Sequence, residues 1–389
     1  MKSIISIFLC AVMSVFSVGS AGENSEGYEK MTGLPQAINA LIHTKEIMNT
    51  DYVGEVSTEV FDPSAEYSLE DTCVLIKEKD KDFVILNLTD IHVADYDYRA
   101  FTAFEALATA KRLVKEVKPD LITVTGDIVC TDSTVYAIKR VTDFMDSLGV
   151  PWAPVFGNHD GEGNCDLNYL ADIMLKSKYC LLKKGDARMG CGNYVVNVAE
   201  QNDDGSLNVV QSLIFMDTHG SHVNELQIEW YKWAAEGIEK VCGKPVQTSA
   251  WMHIPMADYQ FAYDLAWDKD NNRWNDGFAA YGECNEKICC HRDSEGKPID
   301  NGLFAAMKQV GNTDFVFCGH EHMNNFSILH DGIRLTYTMK IGIASGWQPG
   351  FDGGTVVTVS DEGITSIVHK TSSLLSFKDL EIINTIQEA

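Results

Sequence analysis

Five short polar runs hold the residues of this chain that can do chemistry. They are Asp90-x-His92, Gly126-Asp127, Gly157-Asn158-His159-Asp160, His253-x-Pro255 and Gly319-His320-Glu321-His322. With Asp160 and Glu321 set aside, they offer two aspartates, one asparagine and five histidines. Hard oxygen donors mixed with imidazole nitrogens suit Zn, Mn or Fe rather than Ca or Mg alone. If one histidine is kept for proton transfer, seven ligands remain, too many for one tetrahedral ion. They suit two ions sharing a bridging carboxylate. Two ions about 3.5–4 Å apart generate a hydroxide and clamp a phosphoryl group during in-line displacement. Singly, each run has an ordinary explanation: Gly-Asp is a turn, Asn-His-Asp is an Asx-type turn, and a buried histidine is commonly a hydrogen-bonded core residue. The set of five, in this order, carries the reading.

The elements that must position these runs are legible from the hydrophobic pattern. F-V-I-L-N-L-T at 83–89 is a strand of the kind buried on both faces, ending in Asp90. An amphipathic helix from Phe101 to Val117 follows and is stopped by Pro119. A second strand at 120–125 ends in Gly126-Asp127. A helix from Val135 to Leu148 leads to a third strand at 152–156, which ends in Gly157-Asn158-His159-Asp160. This β-α-β-α-β order, with a polar run closing every strand, predicts an α/β fold whose strand ends converge on one site.

Beyond residue 160 the pattern predicts a helix over Asp166–Ser177 and a hairpin of strands 193–199 and 208–216. A helix over Glu225–Glu239 and a strand near 246–252, running into His253, come next. Residues 257–300 have no clear period and read as a long, substrate-facing loop. A short helix at Leu303–Val310 and a strand at 314–318 lead into Gly319-His320-Glu321-His322, and strands and turns fill 324–371.

Composition narrows the setting. Residues 1–21 have the form of a secretory signal, with Lys2, an apolar stretch from Ile4 to Val18, and Gly19-Ser20-Ala21. That stretch is about 15 residues, short of the roughly 20 a membrane span needs. The expectation is a protein that is secreted or in the lumen of the secretory pathway, with no stable membrane insertion. The formal charge of −25 becomes −26 once Lys2 is removed. So acidic a chain disfavours nucleic acid and anionic membranes as partners. Of eleven cysteines, Cys10 lies in the leader. The other ten suit disulfides in an oxidising compartment, with Cys180–Cys191 a local candidate. Cys284, Cys289 and Cys290, followed by His291, are expected to form disulfides rather than a zinc site, because C-x4-C-C-H is not a usual zinc spacing. The expected division is a signal at 1–21, an N-terminal extension at 22–80 with a short helix at Gln36–Met48, a catalytic domain at 81–375 and a C-terminal tail at 376–389.

The set D-x-H, G-D, G-N-H-D, H-x-P and G-H-x-H resembles the calcineurin-like metallophosphoesterase superfamily over about residues 80–370. The later runs N-N-F-S-I-L-H-D-G-I-R-L-T-Y and G-W-Q-P-G-F-D-G-G are similar to the non-purple branch of the purple-acid-phosphatase-like proteins. The resemblance implies a four-layer α/β/β/α sandwich. It implies two metal ions (Fe, Zn or Mn), one held by Asp90, His92, Asp127 and His322. The other would be held by Asp127, Asn158, His253 and His320, with Asp127 bridging. It further implies attack on phosphorus by a metal-bridging hydroxide, with His159 protonating the leaving oxygen.

Two departures from the family pattern matter. The purple members have D-x-G at the first run and a metal-bound tyrosine three residues after the Gly-Asp aspartate. Here those positions hold His92 and Cys130, so a colourless protein is expected. In the family's protein phosphatases the second position carries an aspartate that orients the acid. Cys130 cannot do this, which leaves Asp160 or Asp132 for the task. His219 and His222 are further candidates for the cleft. The expected activity is hydrolysis of phosphate monoesters on small molecules or proteins. Alternatives are a phosphodiesterase acting on nucleotides or lipid headgroups, and a non-catalytic secreted binding protein on the same scaffold.

Overall fold

The computed structural model describes residues 51–94, 99–373 and 376–384. The leader and the helix expected at Gln36–Met48 lie outside the described residues. In chain order, β1 (Cys73–Ile76) precedes β2 (Phe83–Leu88), α1 (Arg99–Val117), β3 (Leu121–Thr125), α2 (Thr134–Leu148) and β4 (Trp152–Val155). Then come α3 (Leu167–Met174), the hairpin β5 (Tyr194–Gln201) and β6 (Leu207–Phe215), α4 (Glu225–Cys242) and β7 (Gln247–Trp251). After α5 (Ala257–Ala266) lie three two-residue strands, β8 (Trp267–Asp268), β9 (Arg273–Trp274) and β10 (Ala280–Tyr281). The chain closes with α6 (Leu303–Val310), β11 (Thr313–Cys318), β12 (Ser327–His330), β13 (Ile333–Tyr337), β14 (Gly353–Ser360), β15 (Gly363–Ser372) and β16 (Phe377–Asn384).

Two sheets organise these elements. The six-stranded sheet runs β16-β15-β14-β2-β3-β4, and the eight-stranded sheet runs β1-β5-β6-β7-β11-β13-β12-β10. β2, β3 and β4 are mutually parallel, and so are β6, β7 and β11. α1 packs on β2 and β14, while α4 and α6 cover β6 and β11 from the opposite side. Between the layers, β14 and β15 lie against β6, and the Ile364 amide donates to Gln247 Oε1 at 2.7 Å. The result is the α/β/β/α sandwich. One apolar core lies around the six-stranded sheet and between the sheets, centred on Leu86, Val124, Trp152, Leu213 and Phe317. A second lies under α4, α5 and α6, around Tyr231, Tyr259, Met307 and Tyr337. β3 and β4 are buried at every position, which is why they read as unbroken apolar runs.

Three expectations are corrected. The loop expected at 257–300 contains α5 and three short strands. The buried residues of α5 are Ala257, Asp258, Tyr259, Ala262 and Ala266, a set of small and polar types that leaves little hydropathy period to read. Tyr259 makes the packing possible by donating its hydroxyl to the carbonyls of Val316 and Thr336. The C-terminal tail contains β16, which pairs antiparallel with β15 at the edge of the six-stranded sheet. Third, no disulfide forms among the described residues: all ten cysteines are unbridged. Cys180 and Cys191 both pack into the core around the six-stranded sheet without bonding to each other, and burial pushes both thiols up to about 12. The extension at 22–80 supplies β1, parallel to β5 at the edge of the eight-stranded sheet.

Candidate metal centre

All five polar runs leave strand ends on one side of the sandwich, but from two sheets. β2, β3 and β4 deliver Asp90, His92, Asp127, Asn158 and His159 from one sheet. The adjacent parallel strands β7 and β11 deliver His253, His320 and His322 from the other. Ligand atoms of Asp90, His92, Asp127 and His322 lie within 4.8 Å of one another, and so do those of Asp127, His253 and His320. Asp127 belongs to both groups. Asn158 Oδ1 lies 3.1 Å from His253 Nε2, which puts the amide oxygen with the second group. The seven side chains expected as ligands thus converge, in two groups that share Asp127.

The two carboxylates divide their oxygens. Asp90 Oδ2 accepts from the Thr89 hydroxyl at 2.8 Å and the His320 amide at 3.1 Å. Its Oδ1 is buried without any hydrogen-bond partner and faces His322 Nε2 at 3.4 Å. Asp127 Oδ1 accepts from the His159 amide at 2.9 Å, while its Oδ2 faces His92 Nε2 at 3.6 Å and His253 Nε2 at 3.3 Å. One oxygen of each aspartate is spent on fixing the turn, and the other is left for a cation. The imidazoles are arranged to match. His253 Nδ1 and His322 Nδ1 donate to the carbonyls of Thr125 (2.8 Å) and Gly346 (3.1 Å), which turns each Nε2 toward the centre. His92 Nε2 and His322 Nε2 approach to 3.1 Å, and His320 Nδ1 and His253 Nε2 to 3.3 Å. Nitrogen pairs that close, beside an orphaned carboxylate oxygen, fit two shared cations.

Holding the runs so close needs unusual backbone. Asp90, His92, Asp127 and His320 all have left-handed φ, between 50° and 80°. Such conformations persist only where surrounding bonds over-determine them. Here the amides of Asp90 and His92 donate to the carbonyls of Gly126 (3.1 Å) and Asp127 (3.0 Å), which ties the first run to the second. Two glycines are needed for close approach. A Cβ on Gly157 would lie 2.2 Å from Asp127 Oδ1, and one on Gly126, itself at φ +86°, would lie 2.4 Å from His253 Nδ1.

The charged groups of the centre shift one another's protonation. Burial opposes charge on His253, but Asp127 outweighs it and lifts the imidazole to about 10. Burial alone would raise Asp127, yet His253 and His92 hold it well below the usual carboxylate range. His320 is pushed down to about 4 by burial and by His253. Behind Asp90 sits Lys340, 1% exposed, its ammonium donating to the Asp90 carbonyl at 2.7 Å; burial lowers it to about 8.

His159 lies outside both groups. Its ring lies 5.3 Å from that of His92, centroid to centroid, and its Nδ1 is 2.7 Å from Glu162 Oε2. Burial tends to lower this imidazole, but Glu162 and Asp127 more than compensate and raise it. Asp160 does not take the place beside it. Asp160 is fully buried and spends both oxygens on backbone, accepting from the Val129 amide at 2.9 Å and the Gly157 amide at 2.7 Å. It staples the second run to the third. Burial and Asp127 push it up to about 7.

The sequence reading missed Glu162, Lys340 and Glu286. Glu286 accepts from the amides of His322 (2.9 Å) and Met323 (3.1 Å), so part of the expected substrate-facing loop instead holds a ligand turn. Glu162 was signalled only by its place three residues after His159. His219 turns away to Gln227 Oε1 at 3.0 Å, while His222 stacks on His291 at 3.8 Å. Among the described residues, no metal-binding cluster includes Cys284, Cys289, Cys290 or His291. Asn87 and Asn325, in sequons by pattern, are both buried.

Residues 83–324 match the family model for calcineurin-like phosphoesterases. The chain belongs to that family. Among curated relatives it is 26% identical to the phosphatase DCR2 of Saccharomyces cerevisiae over 278 residues, which is 64% of this chain but 45% of the yeast protein. It is 24% identical over 311 residues to a protein of Arabidopsis thaliana named probable inactive purple acid phosphatase 28, covering 69% of this chain and 73% of that one. Among solved structures, a dimetal phosphatase from Danio rerio aligns with a TM-score of 0.48 and 13% identity over 77% of this chain and 98% of that one.

Proposed function

We propose that this family member is an active phosphomonoesterase. The observation that carries this reading is the pairing of two ligand groups, joined at Asp127, with an imidazole at His159 that lies beside them but in neither. Two bound cations, Fe, Zn or Mn, would supply Lewis acidity and an activated water for in-line displacement at phosphorus. Asp90, His92, Asp127 and His322 would hold one, and Asp127, Asn158, His253 and His320 the other. His159 stands beside the first group, its Nδ1 on Glu162 and its Nε2 without a hydrogen bond among the described residues. From there it donates its proton to the leaving oxygen as the P–O bond breaks, which neutralises the negative charge developing on that oxygen and leaves a neutral imidazole. The buried floor formed by Asp90, Asp127 and His253 keeps the ligands from rearranging.

Some relatives carry the word inactive in their names, and a binding protein on the same scaffold is the competing reading. Retention of all seven ligands and the acid favours catalysis. The test measures bound metal and hydrolysis of 4-nitrophenyl phosphate and bis-4-nitrophenyl phosphate on one preparation supplied with Mn, Zn or Fe. The expected result is about two ions per chain and preference for the monoester. Preference for the diester would assign a phosphodiesterase. No bound metal and no turnover would assign a binding protein. The leader at 1–21 and the acidic chain support action outside the cytosol on phosphorylated small molecules or proteins. A mature N-terminus near residue 22 in secreted material tests that part.

A further inference from the structure

We propose that Glu162 is the positioning residue for the acid, taking over the task that Cys130 cannot perform. The proposal rests on the reading of His159 as the proton donor. An imidazole delivers a proton usefully only if the correct nitrogen faces the substrate. Glu162 Oε2, 2.7 Å from His159 Nδ1, accepts that N–H and so leaves Nε2 as the transferring atom. As the P–O bond breaks, its electron pair goes to the leaving oxygen, which takes the Nε2 proton. The neutral imidazole keeps its Nδ1–H on Glu162.

An exposed carboxylate three residues from a histidine is ordinarily a loose surface pair of little consequence. Here the backbone on both sides is fixed. The His159 amide is bound to Asp127 Oδ1 at 2.9 Å, and the Glu162 amide donates back to the His159 carbonyl at 3.2 Å. Upstream, Asp160 anchors Gly157 to Val129. Downstream, Asn164 Oδ1 accepts from Thr134 at 3.2 Å, and the Asn164 carbonyl accepts from the Tyr52 amide at 2.8 Å. The turn is therefore built before substrate arrives, and the carboxylate starts from a set position. The other carboxylates of this turn are accounted for, since Asp160 spends both oxygens on amides and Asp127 faces the ligand histidines.

The test compares wild type with Glu162→Ala, Glu162→Gln, His159→Ala and the Glu162→Ala/His159→Ala double variant, each with bound metal measured. Substrates are 4-nitrophenyl phosphate, whose leaving group needs little protonation, and glycerol 2-phosphate, whose alkoxide needs it. Glu162→Ala is expected to slow the alkyl ester about 100-fold and the aryl ester no more than about threefold, with metal content unchanged. Glu162→Gln, which still accepts the Nδ1–H, restores most of the loss. In the His159→Ala background, removing Glu162 changes nothing further. In zinc-loaded protein brought to a pH where the His159 imidazole is neutral, ¹⁵N shifts should report the Nδ1–H tautomer in wild type and a mixture in Glu162→Ala. Equal losses on both esters, additive losses in the double variant, or an Nε2–H tautomer in wild type would each overturn the role of Glu162 alone. A metal-loaded wild type that hydrolyses no ester overturns the phosphoesterase reading and this proposal with it.

Discussion

Gly157→Ala adds one methyl group to the turn that carries Asn158 and His159. The new Cβ would stand 2.2 Å from Asp127 Oδ1, 2.3 Å from the Asp127 amide nitrogen and 2.8 Å from Asp127 Cγ, where ordinary contact begins at 3.4 Å. The carboxylate alone cannot relieve this, because the backbone nitrogen is equally close. One strand end must therefore move by about 1 Å to restore ordinary packing. Overpacking of this kind costs about 1–3 kcal/mol. The shift also endangers the 2.9 Å bond from the His159 amide to Asp127 Oδ1, a bond to a charged group worth about 1.5–3 kcal/mol. Because Asp127 belongs to both ligand groups, a displacement of about 1 Å should weaken both cations together and lower turnover by at least about 100-fold. Gly161→Ala is the internal control, since its Cβ would meet the Leu167 side chain at ordinary contact distance, 3.6 Å from Cδ2 and 3.8 Å from Cγ. Metal content by elemental analysis, turnover of 4-nitrophenyl phosphate and thermal midpoint should be read on all three proteins. A Gly157→Ala protein that keeps both ions and near-normal turnover would refute the claim that these two runs interlock through the missing side chain.

Three other outcomes follow from the same geometry. Asp160→Asn leaves one of two buried amides facing a donor, so thermal or denaturant unfolding should show a loss of about 1–3 kcal/mol. Because Asp160 does not touch His159, its leaving-group dependence should stay that of wild type, unlike Glu162→Ala. Metal uptake by the metal-free protein near pH 7 should release protons, because His253 is held at about 10; titration in weak buffer should show release, and apparent affinity should fall as pH falls. Lys340 is lowered from 10.5 to about 8, so between those pH values the unfolded chain binds the extra proton and stability from this group rises with pH. In metal-free protein, wild type should therefore gain about 3 kcal/mol on Lys340→Met between pH 8 and 10.5, and an unchanged difference in unfolding free energy would contradict this.

Much of the fold was legible because the strands that build the site are buried on both faces. Their apolar runs at 83–89, 120–125 and 152–156 stand out against the amphipathic helices between them. Where burial relies on Ala and Tyr, as in α5, the period vanished and a helix was read as loop. The edge strand β16 went unread for a related reason: F-K-D-L-E-I-I-N mixes charges into a strand that, among the described residues, lies at the edge of its sheet. The cysteine reading erred because composition reports the compartment a chain could suit, not which sulfurs meet.

The sequence by itself determined the donor inventory. Ligand types, their order and their position after strands depend on short-range pattern, and they named Asp90, His92, Asp127, Asn158, His253, His320 and His322 without a structure. Only the tertiary structure decided how that inventory is oriented. Three runs come from one sheet and two from the other, so their meeting depends on how the sheets face each other, which no local pattern encodes. The same holds for which oxygen of Asp90 or Asp127 is left free, and for Glu162 rather than Asp160 standing beside His159. Those choices were set by backbone amides competing for carboxylate oxygens in a buried space, where every donor must find an acceptor.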